Sequence, residues 1–112
     1  MKSLCIAIIA LSMIHTAVAA DDEFTGNDLQ ILCAQEGGNP LACNAYIRGF
    51  ADGATAQHAP GYQICFPKSA TGLQARAVVE KYMLDHPENL HHQAGMIGSA
   101  ALAAAFPCRK AN

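Results

Sequence analysis

A small all-α, single domain of four helices stapled by two disulfides is the fold this sequence predicts. Three observations carry it. Apolar residues recur at helical spacing in one segment after another, with no convincing strand between them. Four cysteines, Cys33, Cys43, Cys65 and Cys108, lie beyond a cleavable leader, and an even count in an exported chain reads as a disulfide frame. A chain of this size buries only about 60–65% of its unfolded surface, so covalent restraints matter to it.

The leader comes first. Met1-Lys2-Ser3 gives a short positive start, Leu4 to Ile14 is apolar except for Ser12, and Ala17-Val18-Ala19 fits the small-x-small cleavage rule. The apolar run is too short for the roughly 20 residues that span a bilayer. Residues 1–20 are therefore expected to be a signal peptide that takes Cys5 with it, and residues 21–112 a single periplasmic domain with no membrane segment. Losing Lys2 leaves six basic residues against nine acidic ones, a net charge of −3 with histidines neutral. That balance argues against nucleic acid and anionic membranes as partners, since both call for a basic face. The absence of tryptophan and the low aromatic content weigh against a stacking platform for sugars or bases.

Each helix has its own start and stop signals. Thr25 is placed to cap the first, with Asp28 at the third helical position, Leu29, Leu32 and Cys33 on one face, and Gly37-Gly38 as the stop. Asn39-Pro40 then serves as cap and first residue of a longer helix, whose apolar face is Cys43, Tyr46, Ile47, Phe50 and Ala54. Gly49 and Gly53 lie one turn apart on it, at about 1 kcal/mol each relative to alanine. Close approach of a neighbouring helix is the expected reason. His58 to Lys68 holds Pro60, Gly61 and Pro67 and reads as a loop that pins Cys65. Thr71 and Gln74 make a capping box for the third helix, with a stripe of Ala75, Val78, Val79, Tyr82 and Met83 facing in and Gln74, Arg76, Glu80, Lys81 and Asp85 facing water. Pro87 stops it. The fourth helix is expected from about Asn89 to Ala105, rich in alanine and glycine, with Pro107 ending it before Cys108. The large core residues are expected to be Leu29, Leu32, Tyr46, Ile47, Phe50, Val78, Val79, Tyr82, Ile97, Leu102 and Phe106.

A hairpin of the first two helices would bring Cys33 and Cys43 within the roughly 5.5 Å Cα separation a disulfide needs. Cys65 and Cys108 would then clip the middle loop to the chain end. Four cysteines permit three pairings, and sequence alone leaves the other two open. Zinc is disfavoured because the ligands are not in close pairs and the compartment is oxidising.

Chemistry would have to come from His58, His86, His91 and His92. The pair His91-His92 is expected to point in different directions on a helix, and surface histidines at helix ends account for all four. No nucleophile, base or carboxylate pair stands at a catalytic spacing, and there is no phosphate loop or haem attachment motif. The chain is expected to be no enzyme and to need no cofactor or metal.

Several pieces in fixed order carry a family resemblance. They are Gly26-Asn27-Asp28-Leu29 with Leu32-Cys33, then Cys43, Tyr46, Gly49, Asp52 and Gly53, and Cys65-Phe66-Pro67. Val78-Val79-x-Lys81-Tyr82 follows, leading to His86-Pro87-Glu88, and the chain closes with Ala105-Phe106-Pro107-Cys108. From about Phe24 to Cys108 the chain resembles the immunity proteins of type VI secretion amidase effectors, the Tai-like family. The resemblance implies an all-helical periplasmic protein, commonly a homodimer, that binds a peptidoglycan amidase toxin and occludes its cleft. Residue by residue it carries over the scaffold: the four cysteines as disulfide positions, and Tyr46, Gly49, Asp52, Gly53, His86 and Pro87 as motif positions.

A blocking element must project into a concave cleft. The 58–64 loop and the turn from His86 to His92 are the two segments placed to do so. The second is shorter and held by two helix ends, so it loses less entropy on docking. Leu90, His91 and His92 are its expected contact residues, with the small face of the fourth helix as a dimer seam. The alternative is a periplasmic, non-enzymatic stress or chaperone-like protein whose histidines titrate near about pH 6, although the chain lacks the dense charge such proteins use.

Overall fold

A computed structural model describes residues 23–57 and 63–108. The expected leader over residues 1–20, His58 and the 58–62 part of the projecting loop lie outside the described residues. Helix α1 spans Gly26–Cys33, α2 Pro40–Gln57, α3 Gly72–Asp85 and α4 Ala94–Ala105, with a 3-10 turn at Pro87–Asn89. Every pair of the four helices is in contact. Among the described residues there are no strands, only isolated bridges joining Thr25 to Gln93 and Ile64 to Pro107.

The local signals work as the side-chain chemistry requires. Asp28 N–H donates to Thr25 Oγ1 while Thr25 N–H donates to the Asp28 carboxylate at 2.8 Å. Thr71 and Gln74 form the same reciprocal pair at the head of α3. Ala42 N–H donates to Asn39 Oδ1 at 3.0 Å, so Asn39 caps α2. In each case a side chain takes up amides that the first turn leaves without a partner. The disulfides are Cys33–Cys43 and Cys65–Cys108, with Cα separations of 5.1 and 4.9 Å. The two-staple, four-helix fold is the one expected.

The centre of the core is Leu29, Cys43, Ile47, Val79, Met83 and Leu102, each with under 2% or at most 2% of its surface exposed. Six of the expected core residues, Leu32, Tyr46, Phe50, Val78, Tyr82 and Phe106, are only partly buried around it. Three of these aromatics instead stack at the margin: Tyr46 with Phe24 at 5.1 Å between ring centres, Phe106 with Phe66 at 4.8 Å, and Tyr82 with His86 at 4.3 Å. Small residues fill the space that the rings leave. Cys33, Ala51, Ala75, Ala94 and Ala101 are buried, which lets the helices pack close at native density.

Three boundaries differ from expectation. Helix α1 ends at Cys33, short of the glycines, because Ala34 turns to an extended conformation (ψ 145°) and Asn39 N–H reaches back to the Leu32 carbonyl at 2.8 Å. Gly37 (φ 73°) then turns the chain, and a β-carbon at Gly38 would overlap the Ala34 carbonyl. Helix α4 begins at Ala94 instead of near Asn89, since residues 87–93 form the 3-10 turn and a bridge to Thr25. Arg76, expected in water, is drawn in between helices, with 15% of its side chain exposed.

The glycine expectation is also revised. A β-carbon at Gly49 or Gly53 would meet nothing within 4 Å, whereas one at Gly98 would sit 2.9 Å from Phe50 Cε1. Close packing therefore falls on α4, whose small face lies under Phe50 inside the chain. Gly95 and Gly98 are thus taken up inside the chain, while Ala104 and Ala105 of the same helix stay exposed.

Candidate partner-binding site

The segment from His86 to Gln93 is built as a knot joining three helix ends. His86 N–H closes α3 on the Tyr82 carbonyl at 2.9 Å, and Pro87 starts the 3-10 turn, where its missing N–H is no loss. Asn89 N–H donates to the His86 carbonyl and His92 N–H to the Asn89 carbonyl, each at 3.0 Å. The chain then gives its own carbonyls to α1: Gly26 N–H donates to His92 O at 2.9 Å and Asn27 N–H to Leu90 O at 3.0 Å. Ala94 N–H donates in turn to the Phe24 carbonyl at 2.8 Å. Two orphan amides of α1 are thus satisfied by backbone far away in the chain. The approach is close at Gly26, where a β-carbon would lie 3.0 Å from Leu90 O and 3.1 Å from Ile97 Cγ1.

This construction decides which side chains project. Leu90 is buried, 6% exposed, so it anchors the turn and does not project as expected. His91 and His92 are exposed. They lie in the turn and not on a helix, and their rings stack with centres 4.0 Å apart instead of diverging. His86 packs on Tyr82, and its Nδ1 lies 3.1 Å from Glu88 Oε1. The Glu88 carboxyl is held below the usual glutamate range first by its own backbone amide and then by His86. A shallow groove of about 180 Å³ borders His92, lined by Tyr82, Asn89, Met96, Ile97 and Ala100. Its outer lip is Met96, 50% exposed.

The remaining motif positions are dispersed. Tyr46 reaches the knot only through Phe24, on which it stacks, and partial burial raises its phenol above the ordinary value. Gly49, Asp52 and Gly53 lie on the outward face of α2, all exposed. The structure therefore brings His86, Pro87, Leu90, His91 and His92 together and leaves the α2 motif elsewhere. Sequence reasoning missed Arg76, whose guanidinium donates to Glu80 at 2.8 Å, Asn44 Oδ1 at 3.0 Å and the Cys33 carbonyl at 3.4 Å. An arginine four residues before a glutamate is a local sign of a helix pair, but nothing local marks the reach to α1 and α2. Phe24 and Met96 were likewise missed, both exposed apolar residues beside the knot.

The sulfurs of Cys33 and Cys43 and a Glu80 carboxylate oxygen lie within 4.8 Å of one another. They make no metal site, because the sulfurs are bonded to each other and offer no thiolate. No helix among the described residues is long and apolar enough to cross a membrane.

The described residues thus form a helical scaffold held by two disulfides, with His91, His92 and Gln93 exposed in the turn before α4. The chain belongs to the Rap1a immunity protein family, whose model matches residues 25–108. This is a family of immunity proteins to type VI secretion effectors. No curated protein and no solved structure matches the chain.

Proposed function

We propose that the mature domain is a periplasmic, non-enzymatic immunity protein that binds a peptidoglycan amidase delivered by type VI secretion and occludes its cleft. The observation that carries this reading is the match to the immunity family across residues 25–108. The narrower Tai-like assignment, and with it the amidase, rests on the ordered motifs from Gly26 to Cys108. Removal of residues 1–20 as a signal peptide places the domain where such a toxin acts. A homodimer belongs to the same reading, and a monomeric mass in solution would remove it.

The contact is assigned to His91 and His92 with Met96 beside them, all presented by the knot. A turn already fixed by backbone hydrogen bonds loses little further entropy on docking. Mixing the mature domain with the amidase encoded beside it should give a co-purifying complex and abolish peptidoglycan hydrolysis. Failure to bind any cell-wall hydrolase of the same genome would end the proposal. A His91→Glu, His92→Glu variant should fold normally, since both side chains are exposed, and bind about tenfold more weakly or worse, about 1.4 kcal/mol. Unchanged affinity would move the contact to another face and leave the immunity reading standing.

A further inference from the structure

The two disulfides differ in their access to solvent, one of the factors that govern thiol–disulfide exchange. Cys33 and Cys43 are 5% and 0% exposed. The Arg76–Glu80 ion pair lies over this bond, with a Glu80 carboxylate oxygen within 4.8 Å of both sulfurs and Arg76 on the Cys33 carbonyl, and helps to close it off from solvent. Cys65, by contrast, is exposed and Cys108 half-buried. Both line a surface groove of about 220 Å³ with Ala54, Thr55, Gln63 and Ile64. Of the two, Cys65 is the more open to solvent. An exposed disulfide is the one an outside thiolate can reach, and such bonds are the more labile.

We propose that Cys65–Cys108 is a thiol-exchange site, reducible by a dithiol reagent or a dithiol oxidoreductase while Cys33–Cys43 stays closed. A thiolate of the dithiol attacks Cys65 Sγ, the Cys65–Cys108 bond breaks, and Cys108 leaves as a thiolate that takes a proton. The second thiol of the reductant then displaces Cys65 from the mixed disulfide. Two electrons pass to the protein, which gains two thiols, and the reductant leaves as a disulfide. What remains at that end is the Cys65 N–H to Phe106 carbonyl bond at 2.9 Å, the Phe66–Phe106 stack and buried Ile64. The four helices keep their own core, so the 63–68 segment is what the exchange sets loose.

The test treats the folded, oxidised domain with dithiothreitol near neutral pH, traps thiols with iodoacetamide at intervals and maps them by peptide mass spectrometry. Cys65 and Cys108 should be labelled together, at least about tenfold faster than Cys33 and Cys43, with helical circular dichroism retained. Equal rates, the reverse order, or loss of helicity in step with the first labelling would overturn the proposal. A Cys65→Ser, Cys108→Ser variant separates local exchange from unfolding. Its Cys33–Cys43 bond should resist reduction as in the parent protein. If that bond instead opens as fast as Cys65–Cys108 did, the staples are not independent and the proposal is wrong.

Discussion

At the N-terminal end of α1 the ties to the 90–92 turn run from backbone to backbone, whereas at its C-terminal end the ties to α2 and α3 run through side chains. Gly26 and Asn27 give their amides to the His92 and Leu90 carbonyls. Cys33, at the other end, is held by its disulfide to Cys43 and by Arg76 on its carbonyl. The first junction depends on a missing side chain and the second on particular ones. The two ends should therefore fail under different substitutions, and the backbone-tied end is the one that carries the exposed histidines.

The largest effect is expected at the C-terminal end. Replacing both Cys33 and Cys43 by alanine releases a short loop, about 3 kcal/mol in the chain-entropy model. Two buried sulfurs are lost with it, so the whole change should come to about 3–5 kcal/mol. Denaturant unfolding of the mature domain measures it. A loss below about 1 kcal/mol would mean that packing alone holds the hairpin.

At the other end, Gly26→Ala puts a methyl group against the Leu90 carbonyl and Ile97. The carbonyl, held by the Asn27 amide, and the buried Ile97 would each have to shift by a few tenths of an ångström, so the cost should be about 1–3 kcal/mol. The substitution should also disturb the amide resonances of residues 90–92. A neutral variant with unmoved resonances would show that the knot is looser than the 3.0 Å approach implies.

Arg76→Met comes next. It leaves the Cys33 carbonyl without its donor and Glu80 without its partner, both partly shielded from water. A loss of about 1–2 kcal/mol is expected, tempered by solvent screening of the ion pair. In a double-mutant cycle with Glu80→Gln the coupling should stay below the full Arg76 effect, because the carbonyl contact does not involve Glu80.

How far each junction was legible in the sequence follows from the range of its interactions. Thr25 with Asp28, Asn39 and Thr71 with Gln74 are all caps made within three residues, and composition alone reveals them. The stripe Ala75, Val79 and Met83 was legible for the same reason, since one helix writes its buried face in its own period. The disulfide between Cys33 and Cys43 could be favoured because a hairpin brings its partners close. The knot was not legible. Its carbonyls come from Leu90 and His92 and its amides from Gly26 and Asn27, and backbone groups carry no residue signature. The start of α4 was misplaced and Leu90 turned outward in consequence. The glycines failed differently: Gly49 and Gly98 look alike in sequence, and only the position of Phe50 tells which one is crowded.

That contrast gives a smaller prediction of opposite sign. Gly49→Ala and Gly53→Ala add β-carbons with nothing within 4 Å of them. Each should stabilise the isolated domain by about 0.5–1 kcal/mol, through the lower backbone entropy of the unfolded chain. Destabilisation instead would mean that another surface, such as a second copy of the chain, lies against this face of α2 in solution.

Acid should separate the two kinds of tie at the N-terminal end itself. The Asp28 carboxyl is held below the ordinary aspartate value, first by the Thr25 backbone amide and then by the Thr25 hydroxyl. A carboxyl depressed in the folded state contributes stability above its unfolded pKa, and that contribution is lost as pH falls through the folded one. The Gly26–His92 and Asn27–Leu90 bonds carry no titrating group and should persist. Because Asp28 is fully exposed, the change in stability is small and is best read at the residue. In a carboxyl NMR titration the Asp28 midpoint should fall below the usual value of about 3.9. Hydrogen exchange at Thr25 should quicken over the same range, while Gly26 and Asn27 stay protected. In Thr25→Ala the hydroxyl bond is gone and the midpoint should move part of the way back. An unshifted midpoint in the parent domain would mean that the capping box does not form in solution. Gly26 would then be held at the head of α1 by the backbone of residues 90–92 alone.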